Sequence, residues 1–201
     1  SGLSKGFGRR IILDDVSFTL RLDSRVMLVG PNGSGKSTLL KIIAGRIQAD
    51  AGVVRLGQGV CLGYLDQEQD ELDPDATLFD AYRTGLSQTD QQLKALLLQS
   101  GLFRIDDLDK RVCELSKGQQ RKVQIGRLIA GGANLLVLDE PTNYISFDVL
   151  EEFENALVGF PGPIIAASHD RRFIERFGGD IWRLEGGALV TETAERTAAN
   201  G

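Results

Sequence analysis

The residues most suggestive of chemistry are Gly30-Pro31-Asn32-Gly33-Ser34-Gly35-Lys36-Ser37, which fill every fixed position of the phosphate-loop pattern GxxxxGK[ST]. Glycines let backbone N–H groups wrap an anion, and a helix starting at the lysine adds the positive end of its dipole. Lys36 is then placed to reach the β- and γ-phosphates of a nucleotide, and Ser37 to offer its hydroxyl to Mg²⁺. The loop is read as running from Gly30 to Thr38. A second constellation is the apolar run Leu135-Leu136-Val137-Leu138 ending in Asp139-Glu140, the form of a Walker B strand. Asp139 is expected to hold Mg²⁺ through water and Glu140 to polarise an attacking water. Taken alone, two carboxylates after a strand describe many solvated loops; downstream of a phosphate loop they carry weight.

These residues need a scaffold that ends strands beside helix starts. Ile11–Leu13 and Val16–Leu22 alternate apolar and polar residues and read as two strands, and Arg25–Val29 reads as a buried strand ending at Gly30. Lys36–Ala44 reads as a helix stopped by Gly45, with further strands at Val53–Leu56 and Cys61–Leu65 around Gly57-Gln58-Gly59. A helical period runs from Thr77 to about Leu102, followed by helices at about Gly118–Ala130, Phe147–Leu157 and Arg171–Phe177. Strands Leu135–Leu138 and Ile164–Ala167 and a hairpin at Ile181–Val190 complete the pattern, which predicts an α/β fold with a mostly parallel sheet covered on both faces. The Ala- and Thr-rich stretch from Thr191 to Gly201 is expected to be a loose tail.

Composition narrows the class. With 201 residues and 42% hydrophobic content the chain can bury one domain's core. Its longest apolar stretches fall far short of the roughly 20 residues that cross a bilayer, so no direct membrane insertion is expected. Cys61 and Cys113 stand singly among apolar neighbours without metal-binding spacing, which suits a reducing, cytoplasmic setting. A net charge of −5 argues against the whole domain being a general nucleic-acid binder. The run Lys117, Arg121, Lys122, Arg127 is helically spaced and reads as a solvated basic face, one that could touch nucleic acid. The acidic stretch from Asp66 to Asp75 lacks the glycine and terminal glutamate of a calcium loop and reads as a solvated linker.

Leu115-Ser116-Lys117-Gly118-Gln119 resembles the LSGGQ signature of ABC ATPases, with Lys117 in place of the first glycine, and it precedes a helix that Ser116 can cap. The resemblance covers nearly the whole chain. It implies a P-loop NTPase of ABC type, with ATP and Mg²⁺ as ligands, an N-terminal antiparallel β subdomain and a small helical subdomain. Core and β subdomain are expected at about 1–66 and 131–190, the helical lobe at about 67–130, and the tail at 191–201. It also implies roles for residues that carry little weight alone. Gln67 looks like the Q-loop glutamine that touches Mg²⁺ and water, and His169 in Ser168-His169-Asp170 matches the switch histidine that contacts the γ-phosphate. Phe7 lies where the family places an aromatic against adenine. Ser116, Lys117, Gly118 and Gln119 are expected to act in trans, on ATP bound to a second ABC domain.

Asp139-Glu140-Pro141-Thr142-Asn143 and Ser168-His169-Asp170-Arg171-Arg172-Phe173 are similar to the DEPTN and SHDRxF runs of the ABC-F subfamily. That likeness implies a ribosomal partner and a role as translation factor or antibiotic-resistance factor. Asn143-Tyr144-Ile145-Ser146 departs from the subfamily's Asn-His-Leu-Asp, so that Ser146 stands at the D-loop aspartate which links the two ATP sites. The stretch between Gln67 and Leu115 is too short for the long arm of ABC-F first domains. The chain, which opens on Ser1 and not on Met, is therefore read as the second domain of a tandem protein, its partner being either the first domain or a head-to-tail copy. Two other readings remain at this point: the ATPase subunit of a transporter, and a nucleotide-binding module with little turnover. A DNA-repair-type ABC protein would need a long coiled-coil insertion, which the sequence lacks.

Overall fold

In the computed structural model, residues 1–66, 72–99, 101–143, 145 and 147–192 are described. Gln67, Tyr144, Ser146 and the tail beyond Glu192 lie outside them. Strands β1 (Leu3–Phe7) and β2 (Arg10–Val16) form an antiparallel ribbon. The main sheet has six strands in the order β4 (Leu62–Leu65), β5 (Leu135–Asp139), β6 (Ile164–Ala167), β3 (Arg25–Val29), β7 (Asp180–Glu185) and β8 (Ala188–Glu192). The first five run parallel, and β8 closes the edge antiparallel to β7. Helices α1 (Lys36–Ile43), α2 (Leu78–Arg83), α3 (Asp90–Gln99), α4 (Lys117–Ala130), α5 (Phe147–Val158) and α6 (Arg171–Phe177) surround it. Among the described residues no helix is long and apolar enough to cross a membrane.

The central strands are apolar throughout because both faces of the sheet are covered. Val26, Leu28, Val137, Ile165 and Ala167 pack toward α1 and the ribbon, where Trp182 meets Phe18 at a tilt of 53° with ring centroids 4.9 Å apart. Met27, Leu136, Leu138, Ile164 and Ala166 pack on the opposite face with Phe153, Leu157 and Phe173 of α5 and α6. A third cluster joins Leu78, Tyr82, Leu93, Leu97 and Val123 of α2, α3 and α4 to Leu102, Phe103, Leu108, Val112 and Leu115 of the segment between α3 and α4.

The structure corrects several expectations. Leu3–Phe7, not Val16–Leu22, supplies the partner strand of the ribbon. Val53–Leu56 is without regular structure: Ala51 makes an isolated bridge to Ser4 and Val53 exchanges backbone hydrogen bonds with Ser1, but Val53, Val54 and Leu56 are exposed and no ladder continues along the run. The helical stretch from Thr77 is two helices, parted at Gly85, which adopts φ +78°. Both cysteines are exposed, not held in apolar surroundings. The basic run on α4 is not a solvated face, since Arg121 is fully buried and Lys122 is 3% exposed with its ammonium 4.8 Å from the Phe103 ring.

Candidate functional site

Strand β3 lies at the middle of the parallel sheet, hydrogen-bonded to β6 on one side and β7 on the other, so the loop leaving its C-terminal end opens where parallel α/β sheets place ligands. Gly30 takes φ +157°, and a Cβ there would strike the Leu184 carbonyl oxygen; at Gly35, φ +103°, a Cβ would come within 2.6 Å of Ile12 Cγ2. Side chains are thus excluded at both hinges of the loop. Gly35 caps α1 without any side-chain bond, which leaves the first amides of that helix open to an anion.

The buried Lys36 ammonium rests on the carbonyls of Gly30 (2.8 Å) and Pro31 (3.2 Å). Ser34 Oγ is buried without a hydrogen-bond partner. Asn32 and Gly33 are exposed and Thr38 is half-buried in α1. A cleft of about 320 Å³ over the loop is walled by Arg10, Ile12, Asn32, Ser34 and Gly187. Phe7, 53% exposed, pairs across the ribbon with Arg10, whose guanidinium donates to the Gly33 carbonyl at 3.2 Å. Arg10 escaped sequence reasoning because it opens β2 directly after the ordinary-looking turn at Gly8-Arg9.

The two carboxylates arrive at the end of β5. Ser37 Oγ donates to Asp139 Oδ1 at 3.1 Å, joining α1 to β5. Asp139 is 1% exposed, and its Oδ2 is buried with no partner. Burial pushes its carboxyl above the usual range against the Ser37 hydrogen bond, and the neighbouring Glu140 and Asp66 carboxylates push the same way. A buried carboxylate with an idle oxygen beside a serine hydroxyl is a hard-oxygen set that suits Mg²⁺, whose charge would relieve this cost.

Glu140 adopts φ +47°, and its N–H donates to the Ala167 carbonyl of β6 at 2.9 Å. His169, just beyond β6, brings Nδ1 to 3.0 Å from Glu140 Oε2, close enough for an ion pair but not aligned as a hydrogen bond. The imidazole itself is 66% exposed, turned toward solvent above the strand ends. Asp170 then caps α6 through bonds to the amides of Arg172 and Phe173.

Lys36, Ser37, Asp139, Glu140 and His169 therefore converge at the ends of β3, β5 and β6. Ser116 to Gln119 stands apart, at the start of α4. Ser116 Oγ accepts from the Gln119 amide at 3.2 Å and the Ser116 amide donates to Gln119 Oε1 at 2.9 Å, a reciprocal cap. Lys117 is exposed and Gly118 buried. Gln67, expected beside the metal, lies outside the described residues. Sequence reasoning also missed Arg121, whose guanidinium donates to the carbonyls of Asp66 (2.7 Å) and Glu140 (3.3 Å); its place in a charged run hid it.

A family profile described as "ABC transporter" matches residues 13–143. The chain is 38% identical over 188 residues to the energy-dependent translational throttle protein EttA of Escherichia coli strain K12, covering 90% of this chain and 33% of that protein. It is 36% identical over 197 residues to the ATP-binding protein Uup of Caulobacter vibrioides, covering 96% of this chain and 32% of that protein. The chain thus spans about a third of the length of the curated relatives it matches. Among solved structures, the dimeric ATP-binding cassette MJ0796 bound to ADP and Pi superposes with a TM-score of 0.78 over 96% of both chains at 22% identity, a likeness of fold.

Proposed function

The chain belongs to the ABC family of ATP-binding domains, and from that premise we propose that it hydrolyses Mg-ATP at a composite site completed by a second ABC domain. The observation that carries this reading is the linked row Ser37, Asp139, Glu140 and His169 beside the parked Lys36 ammonium. Lys36 exchanges its two carbonyl partners for the β- and γ-phosphates. Ser37 and Asp139, joined by Gln67 as the family resemblance implies, would hold Mg²⁺, which would neutralise charge on the phosphates. Glu140 orients the attacking water and accepts its proton, while His169 steadies the Glu140 carboxylate and faces the γ-phosphate. The exposed Phe7 supplies the adenine with an aromatic face.

On the same reading this is one ABC domain, with core and β subdomain at about 1–66 and 131–190 and a helical lobe at about 67–130. Ser116 to Gln119 then acts on the ATP of the partner domain, from the same parent chain or a head-to-tail copy. The relatives named as translational throttle proteins favour a cytoplasmic, ribosome-bound parent over a transporter subunit. Because Arg121 and Lys122 are buried, contacts with ribosomal RNA fall to other segments of that parent.

Glu140→Gln tests the reading. ATP affinity by calorimetry should persist while phosphate release falls on the order of a hundredfold or more, the scale of a lost general base. The variant should also form an ATP-dependent dimer by ultracentrifugation, and its parent should sediment with ribosomes in ATP. Unchanged phosphate release rejects the catalytic assignment, and a parent that instead co-purifies with an integral membrane protein rejects the ribosomal one.

A further inference from the structure

Arg121 is the largest fully buried side chain of the molecule's described part, and a charge sealed from water is costly where an apolar residue of similar size would pack without penalty. Its donors go to main-chain carbonyls of two separate segments: Asp66, at the end of β4 and one residue before Gln67, and Glu140, after β5. Gln124 Oε1, one turn along α4, stands 3.5 Å away, and Arg121 Nε is left buried without a partner. The side chain thus serves the geometry of its neighbours more than its own solvation.

The backbone it holds is unusual. Among the described non-glycine residues only Asp15 and Glu140 have positive φ, a conformation that is uphill for a side chain of this kind unless its surroundings impose it. The Glu140 N–H is fixed by the Ala167 carbonyl, and its carbonyl accepts from the Asn143 amide within the local turn (3.2 Å) and, from outside that turn, from Arg121 on α4 (3.3 Å). Those three restraints hold the turn from which the carboxylate reaches toward His169. Arg121 stands five residues along α4 from the Ser116 cap, about 7.5 Å at helical rise. The helix that opens at Ser116 therefore also carries the tether of Glu140.

We propose that Arg121 is a positioning residue: it holds the Glu140 main chain in its left-handed turn from α4, so that movement of the Ser116 end of that helix is felt at this domain's own carboxylate. The proposal rests on the reading of Glu140 and of Ser116 given above. It supplies a route between the two ATP sites that does not run through position 146, where the sequence carries serine.

Amide hydrogen exchange on the purified chain tests it without requiring turnover. In Arg121→Met, exchange across residues 139–143 should accelerate tenfold or more, while residues 25–29 of β3 keep the parent's protection; Arg121→Lys, able to reach one carbonyl, should fall between. Phosphate release should drop by about ten- to a hundredfold, the cost of a small misplacement, with KM for ATP within about threefold of the parent. Unchanged exchange at 139–143 in either folded variant overturns the proposal, as does an equal loss of protection at 25–29 and 139–143. If Arg121→Met does not fold, the Arg121→Lys comparison decides by the same criteria. The result for Glu140→Gln separates the two claims: normal turnover there rejects the base, whereas lost turnover with unchanged exchange in the Arg121 variants rejects the tether alone.

Discussion

A lysine whose ammonium rests on two carbonyls of its own loop has its charge already partly desolvated and aimed, so little is spent when phosphates replace those carbonyls. Lys36→Ala should therefore lower ATP affinity by about ten- to a hundredfold, the worth of one charge-assisted set of bonds, as calorimetry would show. Equal affinity in parent and variant would contradict the phosphate-loop assignment. A second residue-level expectation concerns Glu154, 6% exposed on α5, with Oε2 2.9 Å from Arg176 Nε. Desolvation outweighs that pairing and pushes its carboxyl above the usual range, with Asp170 and Glu151 adding to the rise. The fold thus favours the protonated form: its contribution is present below the ordinary carboxylate value and is lost as pH rises through the elevated folded value. Glu154→Gln should melt higher than the parent at neutral pH, and the gap should close on acidification into the carboxylate range. Residues of this kind were not legible in the sequence. The gathering of Lys36, Ser37, Asp139 and Glu140 in one place was, because their spacing is fixed by one loop and one strand. Arg121 and Lys122 were misread, because burial of a helical cation depends on neighbours remote in sequence, here Asp66, Glu140 and Phe103.

At the scale of elements, α4 is the piece whose start matters most. The reciprocal cap between Ser116 and Gln119 satisfies amides that the first turn would otherwise leave open. Ser116→Ala should cost about 1 kcal/mol, the usual value of an N-cap, seen as a fall of roughly 2–4 °C in melting temperature for a chain of this size. An unshifted melt would mean that the N-terminal turn of α4 adds nothing to stability. The cap was readable from Ser116 and Gln119 three residues apart. The break between α2 and α3 was readable too, had Gly85 been given the weight of a stop. Val53–Leu56 could not have been settled locally: its composition suits a strand, but a strand exists only where another lies beside it.

For the whole molecule, three apolar clusters imply unequal stability. Two share the sheet, one on each face, and the third is formed by α2, α3, α4 and the segment between α3 and α4. The chain has one tryptophan, Trp182, buried against Phe18 in the cluster on the ribbon side. Denaturation followed by tryptophan fluorescence should report that cluster, whereas far-UV circular dichroism reports all helices. The dichroism transition should begin at lower denaturant if the α2–α3 region opens first; superimposable curves would show a single cooperative unit instead. The mostly parallel sheet was foreseen from strands alternating with helices, and the likeness to the MJ0796 cassette bears out that fold. The chain's one methionine, Met27, is 1% exposed in β3, three residues before Gly30. Labelled with carbon-13 at its methyl group, the protein would give one methionine peak in a magnetic resonance spectrum. Placed on the strand that ends at the phosphate loop, that peak needs no engineered probe to register whether the core beneath the loop shifts when a nucleotide arrives.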